Sequence, residues 1–243
     1  MRPRFLVPGV EIGATTVRLP DDEAHHLVRV LRLKPGASVA IFDGAGREWD
    51  GTVETAGRSS ATVRLTAPMV PVAEPPVAVT IGVALQKGDR MDTIVAEATA
   101  LGVAVVAPLS TAHVALPARA RDSGAAVSRW ERVAVAAAKQ CGRATVPAIR
   151  PMARLDDLLA EWSGGPILVS VEPSRAWPGG AEGAGPRPTQ ALVLVGPEGG
   201  WDEDEMKRLA TAGARRVSLG PRTLRGDLAP AVLLSALWTS WGW

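Results

Sequence analysis

Three short segments of the chain carry residue types that can hold and act on a ligand: Val169-Ser170-Val171-Glu172-Pro173, Val195-Gly196-Pro197-Glu198-Gly199-Gly200 and Leu219-Gly220-Pro221-Arg222-Thr223-Leu224-Arg225-Gly226-Asp227. Each follows a strand-like apolar run, and open α/β sheets bind ligands beyond the carboxyl ends of their strands. Glycine lets a backbone approach a ligand closely. The central segment is neither Gly-x-Gly-x-x-Gly nor a Walker A loop, because no Lys-Ser/Thr follows it. Behind it, Asp202-Glu203-Asp204-Glu205 opens a helix with the spacing of a capping box. Four acids suit the positive end of a helix. They also repel a phosphate, which needs that same end. A nucleoside triphosphate or dinucleotide is therefore disfavoured, and a phosphate-free nucleoside or a cationic ligand is compatible.

The elements that must position these segments follow from patterning. Val77–Leu85, Val103–Leu109, Ile167–Val171, Ala191–Val195 and Arg216–Leu219 read as strands. Asp89–Leu101, Ser128–Gly142, Leu155–Trp162, Asp202–Ala212 and Ala229–Trp241 read as helices. Such alternation predicts a parallel α/β sheet. Upstream, Ser38–Phe42, Glu48–Glu54 and Ala61–Leu65, separated by Asp43-Gly44-Ala45-Gly46 and a turn near Gly57, predict a β meander, with one helix over Asp22–Leu33. The proline-rich run Pro68–Pro76 reads as a linker, and the expected domains are residues 1–72 and 73–243. The last helix carries no charge, which predicts burial in the core or against a second subunit.

The inventory excludes several chemistries. One cysteine, Cys141, rules out an intrachain disulfide and a multi-cysteine metal site, and three histidines leave little room for a His-rich one, so no metal is expected. No tyrosine is present to act as acid or base. His25 and His26 fall on the first helix, and His113 follows a strand end without a nucleophile motif, so all three read as solvent or phosphate contacts. No apolar run reaches the roughly 18 residues of a membrane span. No apolar stretch of signal-peptide type follows the N-terminal charges, so a cytoplasmic protein is expected. The formal net charge of +2 is unevenly spread. Residues 113–154 hold eight Lys/Arg against two Asp/Glu, a balance of +6, which is the footprint expected of a polyanion contact.

S-adenosylmethionine, a cationic nucleoside without phosphate, satisfies the constraints on the central loop. The motifs also resemble those of the RsmE family, the small-subunit ribosomal RNA uracil-N3 methyltransferases of the SPOUT superfamily. The resemblance lies in Val195–Gly200, Leu219–Arg225, Lys87-Gly88-Asp89-Arg90-Met91-Asp92 with Leu101-Gly102-Val103, Gln140-Cys141-Gly142-Arg143-Ala144-Thr145-Val146-Pro147, His26–Arg32 and Phe42-Asp43-Gly44. It implies a PUA-like N-terminal β-barrel that recognises RNA. It further implies an α/β SPOUT domain with a C-terminal trefoil knot, S-adenosylmethionine as cofactor, and a homodimer acting on 16S ribosomal RNA, free or in an assembled 30S subunit.

Residue by residue, the resemblance assigns cofactor binding to Ser170, Val171, Glu172, Val195, Gly196, Gly199, Gly200, Leu219, Gly220, Pro221, Leu224 and Arg225. Methylation of N3 needs a group to take its proton or to stabilise the uracil anion, and Arg143, Glu198, Arg225 and Asp227 are the candidates. Arg4, His26, Arg29, Arg32, Arg119, Arg121 and Arg129 are the expected RNA contacts. The chain departs from the family where Leu-Arg-Thr-Glu-Thr-Ala becomes Leu224-Arg225-Gly226-Asp227-Leu228-Ala229, and where Lys-Ala-Thr-Glu-Leu-Gly becomes Glu97-Ala98-Thr99-Ala100-Leu101-Gly102.

Overall fold

The computed structural model describes residues 2–57, 60–86, 89–113, 124–180 and 182–243. They form two compact units. Residues 1–74 and 138–146 make the first, and residues 75–137 and 147–243 the second.

The first unit contains β1 (Arg4–Leu6), β2 (Thr16–Arg18), β3 (Ser38–Phe42), β4 (Glu48–Ala56) and β5 (Ala61–Pro68) in the order β1-β3-β4-β5-β2. All pairings are antiparallel except β1 with β3. Phe5, Val17, Ile41, Val53 and Val63, one from each strand, meet in a single core with Ala24 and Leu27, so the sheet curls around that core. The meander is as expected. The edge strands β1 and β2 were not foreseen, because three residues are too few to show a period of two.

The expected helix over Asp22–Leu33 is interrupted. Helix α1 (Asp21–His25) passes into a π turn at His26–Val30, where the Leu31 N–H bonds to the His26 carbonyl at 3.0 Å. Arg32 then takes φ 52°, which ends the helix before Pro35-Gly36.

The second unit holds β6 (Ala78–Ala84), β7 (Val105–Ser110), β8 (Ala148–Ile149), β9 (Ala153–Arg154), β10 (Ile167–Ser170), β11 (Gln190–Val195) and β12 (Arg215–Val217). They form one sheet in the order β12-β10-β11-β6-β7-β8, with β9 also on β7, and every pairing is parallel. The near-continuous apolar runs of β6 and β11 suit strands covered on both faces. Helices α2 (Arg90–Ala100), α3 (Gly124–Cys141), α4 (Leu155–Glu161) and α5 (Glu203–Thr211) lie between strands along the chain, and α6 (Ala229–Trp241) follows the last one. Met91, Ile94, Val95 and Ala98 give α2 one buried face at helical spacing.

Helix α6 buries Ala229, Pro230, Leu233, Leu234, Leu237, Trp238 and Trp241 within its own chain, and the Trp238 indole donates to the Leu101 carbonyl at 2.8 Å. Its other face presents Ser235, Thr239 and Ser240 to solvent. Lack of charge therefore reflects a small, weakly polar outer face as well as a buried inner one. No described helix is long and apolar enough to cross a membrane.

Candidate active site

Strands β12, β10 and β11 are neighbours in the sheet, so the three segments that follow them emerge side by side. Together they line one cleft. It takes Ser170, Val171 and Glu172 from the first segment, Val195, Gly196, Glu198 and Gly200 from the second, and Leu219, Gly220 and Leu224 from the third. Of the expected cofactor residues, Gly199, Pro221 and Arg225 do not line it. Pro173, Pro197, Trp201, Arg222, Thr223, Gly226 and Ala229 do, without having been singled out for it.

Local structure explains the cleft's shape. Asp202 caps α5 by accepting the Glu205 N–H at 2.6 Å, and Glu205 reaches back to the Asp202 N–H at 3.0 Å, completing the expected capping box. The other oxygen of the buried Glu205 accepts the Ala112 N–H at 2.9 Å. The end of α5 is thus already occupied by carboxylates. Gly200 has φ +72°, and a Cβ there would lie 2.6 Å from a Glu172 carboxylate oxygen. Any side chain would both strain this turn and push Glu172 away. A Cβ on Gly226 would lie 2.6 Å from Oε1 of the buried Gln86.

Two residues proved more important than their sequence context indicated. Trp201 stands immediately before the Asp202 cap. It is buried, donates its indole N–H to the Ser170 carbonyl at 3.0 Å, and so ties the second segment to the first. The His113 Nδ1 lies 2.9 Å from the Gly200 carbonyl, which makes His113 a backbone partner of the central loop. Neither tie has a local signature, since the partners are 31 and 87 residues apart.

The charged candidates are all engaged. Glu198, half exposed in the cleft wall, forms an ion pair with Arg90 at the start of α2. Arg225 grips both oxygens of Asp227, at 3.0 and 2.6 Å. The hydrogen bond from Arg225 holds the Asp227 carboxyl below the usual range, with a lesser contribution from Arg90. Burial, and then the charge of Asp227, push the Glu97 carboxyl up.

Arg143 belongs to the first unit, where its buried guanidinium meets Glu74 with Nε contacts of 2.8 and 3.0 Å. This salt bridge gives Arg143 a structural role.

The RNA candidates fare unevenly. Arg29 and Arg32 are exposed on and after the π turn, and His26 packs edge-on against Phe5. Arg4 is a correction: its side chain is 10% exposed, pairs with Glu48 at 2.6 Å, donates to the Arg143 carbonyl at 2.9 Å and lies over the Phe42 ring. A guanidinium so enclosed does not reach a phosphate. Arg129 is exposed but already shared between Asp89 and Asp92. Arg119 and Arg121 lie outside the described residues.

Among the described residues of the +6 segment, four further cations pair with carboxylates. Lys139 pairs with Glu23, Arg143 with Glu74, Arg150 with Glu161 and Arg154 with Asp156.

Comparison with known proteins decides the family. The RNA methyltransferase domain family matches residues 73–238, and the RNA methyltransferase PUA domain family matches residues 19–66. The chain belongs to the RsmE family of RNA methyltransferases. It is 35% identical to the ribosomal RNA small subunit methyltransferase E of Mycobacterium tuberculosis, over 93% of this chain and 87% of that protein. It is 30% identical to the protein of that name from Synechocystis, over 96% of this chain and 76% of the other. The Neisseria gonorrhoeae ribosomal RNA small subunit methyltransferase E, solved bound to S-adenosyl methionine, superposes with a TM-score of 0.85 at 28% identity, covering 99% and 98% of the two chains. The RsmE α/β fold with its N-terminal PUA domain is therefore that of this chain.

Proposed function

We propose that this RsmE-family chain transfers a methyl group from S-adenosylmethionine to N3 of a uridine in small-subunit ribosomal RNA, as a cytoplasmic homodimer. The observation that carries the reading is the convergence of the segments after β10, β11 and β12 into one cleft. The cleft's chemistry fits the cofactor. Carboxylates occupy the α5 N-terminus, where a phosphate would otherwise bind, and Glu172 places negative charge in the wall. Ser170, Val171, Glu172, Val195, Gly196, Gly200, Leu219, Gly220 and Leu224 would hold the cofactor, with the trefoil knot of the family as the frame. Its sulfonium supplies an electrophilic methyl group.

The chain's own residues divide the remaining work. Glu198 lines the cleft and accepts the N3 proton. Asp227, held ionised by Arg225, is a weak base and serves to aim that guanidinium at the uracil anion. Arg29 and Arg32 contact RNA phosphates, joined by His26, Arg119 and Arg121. Residues 1–72 recognise RNA and residues 73–243 carry the chemistry.

Nucleoside mass analysis of small-subunit ribosomal RNA incubated with the protein and S-adenosylmethionine tests this. 3-Methyluridine is expected. A ribose 2′-O-methyl product would overturn the target atom, and absence of cofactor binding by calorimetry would overturn catalysis.

A further inference from the structure

The first unit contains a second cavity, of ≈ 280 Å³, lined by Ile12, Arg47, Trp49, Pro68, Met69 and Pro71 among others. Its volume is near the lower end of the roughly 300–1,000 Å³ of small-molecule sites. Apolar surface of this kind normally goes inside, yet Ile12 at its rim is 95% exposed.

The unusual member is Arg47. Its Nε donates to the buried Asp43 carboxylate at 2.6 Å, and a terminal nitrogen donates to the Val10 carbonyl at 3.0 Å. Its Cζ lies over the Trp49 ring, 5.4 Å from the centroid. Two in-plane bonds and one ring fix the guanidinium plane, while the side chain remains 46% exposed. Asp43 is itself held by the N–H groups of Ala45 and Arg47, at 2.8 and 2.9 Å. The arginine's charge is thus matched by a buried carboxylate, and what it offers outward is a rigid flat surface.

Flat guanidinium and indole surfaces stack unpaired nucleobases, with little sequence preference. We infer that this cavity is a nucleobase pocket, in which one unpaired base of the RNA substrate stacks on the Arg47–Trp49 platform, with Ile12 and Met69 flanking it. The inference rests on the RNA reading above and adds a site outside the methyl-transfer cleft.

The test uses the full chain, a labelled single-stranded oligouridylate and an RNA duplex of equal length. Arg47→Lys keeps the charge and removes the plane. It should weaken oligouridylate binding about tenfold, leave the salt slope unchanged and leave duplex binding unchanged. Ile12→Ser, at an exposed position, should weaken only oligouridylate binding, by about threefold.

Oligouridylate affinity equal to wild type in both variants, or equal losses on the duplex, would overturn the pocket while leaving RNA binding intact. A wild-type protein that binds neither RNA would overturn the RNA reading as well. Should Arg47→Lys fail to fold, photocrosslinking of a 4-thiouridine oligonucleotide to the wild type decides. Crosslinks at residues 12, 47–49 or 68–71 support the pocket, and crosslinks confined elsewhere reject it.

Discussion

In the first unit the carboxylates of Glu23, Asp43 and Glu48 are buried, each against a cation: Lys139, Arg47 and Arg4. In the second unit the pairs Arg90–Glu198, Arg129–Asp89 and Arg225–Asp227 have at least one partner half exposed or more. A buried pair leaves a costly lone charge when one partner is removed. An exposed pair is screened and weak, and its members can exchange partners cheaply. These three pairs of the first unit therefore hold its fold, and the three of the second keep charge open to exchange.

Removing the cation beside a buried carboxylate should have the largest effect on stability. Lys139→Met strands the Glu23 carboxylate and should cost about 3 kcal/mol, read as a lowered denaturation midpoint with an unchanged slope. A loss no larger than for a surface substitution would erase the contrast between the units.

In the cleft, Glu198→Gln should slow methylation at least about 100-fold while shifting stability by less than about 0.5 kcal/mol. Single-turnover kinetics alongside a thermal melt check both halves. A stability loss matching the rate loss would make Glu198 structural.

The pH response should separate two carboxylates within the first unit. Burial raises the Glu23 carboxyl despite Lys139. Its contribution is full below its unfolded value of 4.5 and is lost as pH rises through the folded value. The stability of Glu23→Gln relative to wild type should therefore improve from acid pH to neutrality. Burial also pushes the Asp43 carboxyl up, but the N–H groups of Arg47 and Ala45 and the Arg47 guanidinium outweigh it and hold it low. Its contribution is present above 3.8 and is lost as pH falls through the folded value. The deficit of Asp43→Asn should shrink in acid. Denaturation midpoints across pH that move in parallel for both variants would contradict this.

The smallest effect concerns RNA. Arg29→Gln should reduce the salt slope of RNA binding by about 1. Arg129→Gln should leave the slope unchanged, because Asp89 and Asp92 already neutralise that guanidinium. Equal effects would return Arg129 to the RNA surface.

Much of this was legible in the chain. The capped start of α5 was, because Asp202 and Glu205 are three residues apart and need no distant partner. The glycine segments after β10, β11 and β12 were legible as loops, and the family motifs named their ligand. The ties of Trp201 to Ser170 and of His113 to Gly200 were not, nor was the platform of Arg47 over Trp49 beside Met69. The π turn was hidden as well, since the apolar spacing of Leu27, Val30 and Leu31 also suits an α-helix.

The charge distribution marks the division most clearly. Sequence alone determined that residues 113–154 are cationic, that the α5 start is acidic, and that apolar runs alternate between strand and helix lengths. These are properties of neighbours along the chain. Only the tertiary structure decided that Lys139, Arg143 and Arg150 are matched by Glu23, Glu74 and Glu161, and that Glu198 is paired with Arg90. Coulomb attraction and desolvation depend on distance and burial in space. Residues 11 to 116 positions apart therefore set which charges hold the fold and which remain for a ligand.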